Sequence, residues 1–542
     1  MTGEKNSVGP YRNGFVLLIG AVFVFRMWFS TTLPLSGDEA YHWEWSRHPA
    51  FGYYDHPGLT AYLILLFTRL LGRSTELTVR LPALVMLTGS AVAAFLLARR
   101  IAAQKVGAAA GDKAGFLAGL LVSTVPLFAV FSLYISTDPP AIFFNLLSVY
   151  LFHRAFSEGR WADWIAAGVV LGLALMSKFL SFLIVPALGA FALASPADRK
   201  WLVRPQAYVA GLCALLVFSP FLWWNATHDW ATFKFNFVYR QADRSFAPGF
   251  ALEFLGGQAL ALSPVVCLCA LGCLWKAFRR WRQERDRDAL YLGLCSAVPL
   301  AYFLYVSLQR RVGAHWPASG WLALLVCLGI EWARLEPGER DRAARRWMTA
   351  ALSVAVLMTA VLHGVIHIPP GWVQTNWRYA ASPNRISASK QAERFGWREL
   401  GQEVERRRDE MASARVARGL PPDEPPGKGV FVICGEYGLA AATAFYTPSQ
   451  MSTHLWAARR THGENYRFWD DFATLKGQDG LYVSKREDGA LAAKATLGKR
   501  FREVGDVERL PVKVKGQEVR SFFFIRCLGF DGRTPDFRAP AS

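Results

Sequence analysis

Gly14-Phe15-Val16-Leu17-Leu18-Ile19-Gly20-Ala21-Val22-Phe23-Val24-Phe25-Arg26-Met27-Trp28-Phe29 is almost continuously apolar. Such a run approaches the roughly 20 residues that a helix needs to cross a bilayer. Comparable runs follow at 81–98, 115–135, 139–156, 164–177, 179–194, 207–224, 255–275, 289–307, 316–333 and 347–367. Soluble cores do not contain such a series, so the chain is predicted to be an α-helical polytopic membrane protein with about eleven spans. The runs on either side of Lys178 would overshoot the bilayer as one helix, and two spans are expected there. Lys5 and Arg12 precede the first run, but no small-residue cleavage site follows it. The first helix is therefore expected to be retained rather than removed as a signal.

Composition agrees. Of 542 residues, 52% are apolar, 14% aromatic and 19% charged, with a mean hydropathy of +0.18. An ordinary soluble domain is about a quarter charged, and the aromatic content excludes a disordered chain or a collagen. The formal net charge of +19 would by itself suggest nucleic acid. Its distribution says otherwise. Lys5 and Arg12; Arg99, Arg100, Lys105 and Lys113; Arg154 and Arg160; Arg199, Lys200 and Arg204 fall in alternate loops. So do the six basic residues from Lys276 to Arg287 and the five from Arg334 to Arg346. This is the positive-inside pattern. It predicts a cytoplasmic N-terminus and, for an odd number of spans, an external C-terminal part.

Composition changes near Pro369. The reading divides the chain into a transmembrane domain, 1–369, and a soluble extracytoplasmic α/β domain, 370–542. Strands are expected at 430–434, 481–484 and 521–527, a helix at 439–445, and a Pro-rich break at 421–427. Six of the eight cysteines lie in or beside apolar runs and read as core. Cys434 and Cys527 sit on expected strands, where a disulfide could form in an oxidising compartment.

Ionisable residues on the outer side, at the ends of apolar runs, are costly and mark functional paths. The loop after the first run holds Asp38, Glu39, Tyr41 and His42, then Tyr54, Asp55 and His56. A carboxylate there can act as a general base toward a hydroxyl; Glu39 and Asp55 fit an interfacial aromatic belt equally well. Asp138 stands between two runs, before Pro139 and Pro140, where it could also serve as a helix cap. Lys178 lies between two runs and can bind phosphate as a point charge or snorkel to the headgroups. A basic, aromatic loop holds Lys234, Tyr239, Arg240 and Arg244. Arg310, Arg311 and His315 precede a late run, and arginine suits bidentate phosphate contacts. Carboxylates beside cations on one face fit a transfer reaction with an anionic leaving group.

The order of these features resembles the integral-membrane glycosyltransferases of the C-type (GT-C) fold. It is most similar to the branch of protein O-mannosyltransferases and lipid A aminoarabinose transferases. The resemblance covers about residues 10–370. It rests on Gly37-Asp38-Glu39-Ala40-Tyr41, Thr137-Asp138-Pro139, Gly172-Leu173-Ala174 leading to Ser177-Lys178, and His315-Trp316-Pro317-Ala318. The resemblance implies inverting transfer from a polyprenyl-phosphate sugar to lipopolysaccharide, lipid A, another glycan or protein, at the outer face of a bacterial inner membrane. Asp38 would be the general base, with Glu39 beside it, and Asp138 the second carboxylate. Lys178, Arg244, Arg310 or Arg311, and His315 would face the donor phosphate. Tyr41, Tyr54, Asp55 and His56 would meet the acceptor or sugar. The resemblance requires no cofactor or metal, although His42, Asp55 and His56 are of ligand type. Aminoarabinose transferases tend to carry an acid, a Lys and two prolines where this chain has Asp55-His56-Pro57-Gly58, which argues against that substrate. Gly435-Glu436-Tyr437-Gly438 and Tyr466-Arg467-Phe468-Trp469 resemble the outer tails of bacterial members, as acceptor contacts or as a structural lid. A transporter or flippase of lipid-linked sugar is the competing expectation, but no repeat of two related halves is visible.

Overall fold

The computed structural model describes residues 9–239, 246–336, 338–339, 341–365, 395–420, 429–456, 464–514 and 516–534. Two compact units emerge: Met1–Thr31 with Ala50–Gly364, and Thr32–Pro49 with Val365–Ser542.

The first unit is helical. In chain order the helices are α1 (Pro10–Ser30), α2 (Gly37–Arg47, which belongs to the second unit), α3 (Leu59–Leu70), α4 (Glu76–Val106) and α5 (Ala108–Thr124). Then come α6 (Pro126–Ser132), α7 (Asp138–Glu158), α8 (Trp161–Ser177), α9 (Ile184–Ala194), α10 (Pro205–Thr227) and α11 (Ala231–Phe237). The last are α12 (Gly249–Leu262), α13 (Pro264–Glu284), α14 (Arg287–Ser307), α15 (Ala318–Ala333) and α16 (Arg342–Val365). Helix α15 is the most enclosed: 14 of its 16 residues are buried. By contrast α1 and α16 turn Leu17 and Leu357 outward, 74% and 63% exposed, as lipid-facing helices do. Small residues let helices touch. A Cβ at Gly168 of α8 would stand 2.2 Å from the carbonyl oxygen of Ala210 in α10, a backbone approach typical of membrane helix pairs.

All eleven predicted runs fall on helices, but not as eleven plain spans. Among the described residues, five helices are long and apolar enough to cross a membrane, or up to seven if each of two bent pairs counts as one span. The run at 255–275 is corrected. It breaks at Ser263, where φ is +80°, and α12 and α13 meet at 105°. Pro264 has no N–H to continue a helix and disfavours the helical conformation at Ser263. Pro126 likewise divides 115–135 into α5 and α6, bent by 67°. The split at Lys178 is as expected: its backbone is extended (φ −155°, ψ 117°), and a 3-10 turn, Phe179–Leu183, leads into α9. Helix α3 was not among the predicted runs.

The second unit is α/β. Its strands are β1 (Val430–Cys434), β2 (Thr453–Leu455), β3 (Asp479–Ser484), β4 (Phe501–Val504), β5 (Glu508–Val514) and β6 (Gln517–Phe530). The sheet order is β2-β1-β3-β6-β4, with β5 also on β6. Strands β1, β2 and β3 are parallel, and β6 is antiparallel to its neighbours. Helices α17 (Trp397–Ala417), α18 (Tyr437–Tyr446), α19 (Tyr466–Trp469) and α20 (Glu487–Leu497) accompany it. The expected strands and helix lie within these elements; the Pro-rich break at 421–427 lies outside the described residues. The Cys434–Cys527 disulfide is corrected. Both are free buried thiols, and β3 lies between their strands. Two strand spacings of about 4.8 Å exceed the ~7 Å limit for bridging Cα atoms.

Eight of the eleven residues of α2 are buried, and it packs within the second unit. Trp43 meets Phe445 edge-on at 5.0 Å. The Leu35 N–H donates to the Tyr446 hydroxyl at 2.6 Å. Arg47 donates to the carbonyl of Met451 and the hydroxyl of Ser452, each at 3.3 Å.

Candidate active site

In the first unit, three sequence-predicted residues converge. Asp138 opens α7 with Pro139 and Pro140 behind it, so no backbone N–H is lost at those first helical positions. Lys178 ends α8, where the chain leaves helical geometry. The Lys178 ammonium donates to Asp138 Oδ1 at 2.7 Å, with the two side chains only 12% and 10% exposed. His315 Nε2 stands 3.7 Å from Asp138 Oδ2, a Coulombic contact too long for a hydrogen bond. Burial holds the His315 imidazole below its ordinary value; Asp138 opposes that and Lys178 adds to it. Lys178 makes the closer contact with Asp138, 2.7 Å against 3.7 Å for His315. These side chains line a small cleft with Asn145, Ser181, Phe303 and Trp316.

The loop from Ala50 is fixed from below. Thr232 donates to the Tyr53 carbonyl at 2.6 Å, and Asn236 to the Asp55 carbonyl at 3.1 Å. Gly52 and Pro57 form an isolated antiparallel bridge. Tyr54 packs on Phe235 at 4.9 Å, and Asp55 is 3% exposed. His56 lies within electrostatic range of Asp138, so this loop borders the same cluster.

The predicted cations separate. Arg310 lies over the Trp316 ring at 5.4 Å, next to the cleft. Arg311 is exposed, pairs with Glu253 at 3.1 Å and is not among the cleft residues. Arg244 lies outside the described residues.

In the second unit, Ser36 and Glu39 form a capping box: Glu39 N–H donates to Ser36 Oγ at 3.2 Å, and Ser36 N–H to Glu39 Oε2 at 3.0 Å. Glu39 thus has a structural use that its sequence reading did not include. Asp38, next to it, accepts on Oδ1 a hydrogen bond from the Tyr437 hydroxyl at 2.7 Å. The Tyr41 hydroxyl accepts from Asn465 Nδ2 at 2.5 Å. His42 donates through Nδ1 to the Asp38 carbonyl at 2.7 Å. Asp55 and His56 belong to the first unit, so the metal-type residues fall in different units.

Known proteins share this fold. The structure matches ArnT from Cupriavidus metallidurans bound to undecaprenyl phosphate, with a TM-score of 0.60 over 97% of this chain and 99% of that one, at 16% identity. The fold is that of ArnT. The apo form of ArnT gives a TM-score of 0.59 at 17% identity, over 98% and 99% of the two chains. Residues 55–224 match the dolichyl-phosphate-mannose-protein mannosyltransferase family. A lipid A galacturonosyltransferase, RgtD from Rhizobium johnstonii, is 24% identical over 321 residues, 58% of this chain. The chain spans 64% of the length of RgtD.

With the ArnT fold, the chain is an integral membrane protein with several apolar helices. Within that fold, sequence reasoning missed two features. The first is the floor of the cleft. Asn145 Nδ2 donates to the Ala141 carbonyl at 2.7 Å and to Ser181 Oγ at 2.9 Å. Its buried Oδ1 has no hydrogen-bond partner. A polar residue inside the apolar run 139–156 was the available signal. The second is Glu44, buried in α2 with Arg47 at 3.0 Å. Burial pushes its carboxyl up to about 7; Arg47 and His454 pull it down, and Asp470 adds to the rise.

Proposed function

We propose that the chain is an inverting glycosyltransferase. It moves a sugar from a polyprenyl-phosphate donor to a cell-envelope acceptor: lipopolysaccharide or lipid A, another glycan, or protein. The reaction takes place at the outer face of a bacterial inner membrane, with the N-terminus cytoplasmic and the second unit periplasmic. The observation that carries this reading is the Asp138–Lys178 pair in a cleft at the ends of apolar helices. An ammonium held there by one carboxylate keeps two further donors for an anion. The ArnT likeness, the family match over 55–224 and the RgtD relationship support the reading.

In this proposal Lys178 contacts the donor phosphate and Asp138 holds the ammonium in place. Arg310, beside the cleft, adds positive charge; Arg311 pairs with Glu253, and Arg244 lies outside the described residues. Asp38 accepts the proton of the acceptor hydroxyl as its oxygen bonds to the anomeric carbon. The bond from that carbon to the phosphate oxygen breaks on the opposite side. Polyprenyl phosphate leaves with the electron pair, its charge met by Lys178. Tyr41, Tyr54, Asp55 and His56 are proposed acceptor or sugar contacts.

The test is transfer of radiolabelled sugar from a panel of polyprenyl-phosphate sugars in proteoliposomes, wild type beside Asp38→Asn. Transfer by the wild type and its loss in the variant support the enzyme. Label that crosses the bilayer without transfer would establish a transporter instead.

A further inference from the structure

Two helix starts meet within the second unit. Gly37 begins α2, and Gly438 is the second residue of α18. A Cβ on Gly37 would stand 3.0 Å from both the Cα and the carbonyl oxygen of Gly438. A Cβ on Gly438 would stand 3.3 Å from the Gly37 Cα, so a side chain at either position requires the backbones to give by a few tenths of an ångström. The residues flanking this contact, Asp38 and Tyr437, form the 2.7 Å hydrogen bond described above. The Tyr437 ring is itself held, meeting Tyr41 edge-on at 4.9 Å, and Tyr41 is tied to Asn465. Helix capping does not need Asp38, because Ser36 and Glu39 form the cap.

We propose that Tyr437 is a positioning residue that holds the Asp38 carboxylate in its reactive orientation. This rests on the proposed role of Asp38 as general base. A carboxylate offers about four acceptor sites, so one bond from a phenol fixes its rotation without consuming its capacity. Reactions that depend on an oriented base are sensitive to small displacements: an error of about 1 Å can cost about 100-fold. The second unit thereby contributes directly to turnover.

The test uses the full chain in proteoliposomes, with kcat, donor and acceptor KM, and thermal stability measured for each variant. Tyr437→Phe removes only the hydroxyl. Gly438→Ala keeps every polar group and forces α2 and α18 apart by a few tenths of an ångström. Both are expected to lower kcat, Tyr437→Phe by roughly 10- to 100-fold and Gly438→Ala by less. KM values and the melting temperature should stay near wild type. A Tyr437→Phe protein with kcat within about twofold of wild type, beside an inactive Asp38→Asn, overturns the positioning role. A loss confined to KM overturns it as well. Transfer that survives in Asp38→Asn overturns the base assignment itself. If Tyr437→Phe does not fold, kcat of Gly438→Ala decides: a fall supports positioning and wild-type turnover overturns it.

Discussion

Lys178→Met separates a phosphate-binding lysine from one that only neutralises a buried acid. At 2.7 Å and an effective dielectric of about 20, the gross attraction between Lys178 and Asp138 is about 6 kcal/mol. Desolvation of both groups offsets much of it. Removing one partner of a buried pair costs roughly 3–5 kcal/mol, because the other charge is left uncompensated. With both side chains about a tenth exposed, the lower end applies, and Lys178→Met should lose about 3 kcal/mol of stability. Loss of a hydrogen bond to a charged phosphate is worth about 1.5–3 kcal/mol, or roughly 10- to 150-fold in Kd. The double variant Asp138→Asn/Lys178→Met removes the orphaned charge. It should recover stability and still bind poorly. The assays are tryptophan-detected thermal unfolding and binding of undecaprenyl phosphate in detergent. If the double variant regains stability and affinity together, Lys178 is a counter-ion for Asp138 and the phosphate assignment is wrong.

Two other outcomes are expected. Arg311 is exposed and paired with Glu253, so Arg311→Ala should change stability by less than about 1 kcal/mol and leave undecaprenyl phosphate affinity within about twofold of wild type; a tenfold loss would return Arg311 to the site. Glu44 has a carboxyl raised from 4.5 to about 7 by burial. Between those values the folded chain holds a proton that the unfolded chain has released. Stability should therefore fall as pH rises from about 4.5 to about 7, by at most roughly 3 kcal/mol from this group, and level off above. Glu44→Gln should flatten that slope in melting experiments from pH 5 to pH 8; an unchanged slope would assign it to other groups.

The membrane cluster was legible because three elements each interrupt an apolar run on the same side: Asp138 before α7, Lys178 after α8 and His315 before α15. Polar residues at span ends carry their own signal. Arg311 shows the limit of that signal, since proximity in sequence to His315 did not bring it to the cleft. Glu39 was legible in another way. Ser36-Gly37-Asp38-Glu39 has the spacing of a capping box, and the structure gives Glu39 that use. Pro264 likewise announced the break inside 255–275. The partners of Asp38 and Tyr41 were not legible, because no local pattern connects residue 38 with residue 437. Cys434 and Cys527 were expected on strands and lie on strands, yet sheet order, which local sequence does not encode, keeps them apart.

The placement of α2 has a consequence for biogenesis. Tyr437 follows Asp38 by 399 residues, and Asn465 follows Tyr41 by 424. At roughly 5–20 residues per second, about 20–80 s separate the synthesis of α2 from that of its packing partners. During that interval Tyr41, Trp43 and Trp45 have no native surface to cover them, although α1 is already made. The N-terminal segment matures last, and a nascent chain that stops before β1 carries the proposed base without the residues that shape it. Under the role proposed for Tyr437, such partial chains would not yet hold an oriented base.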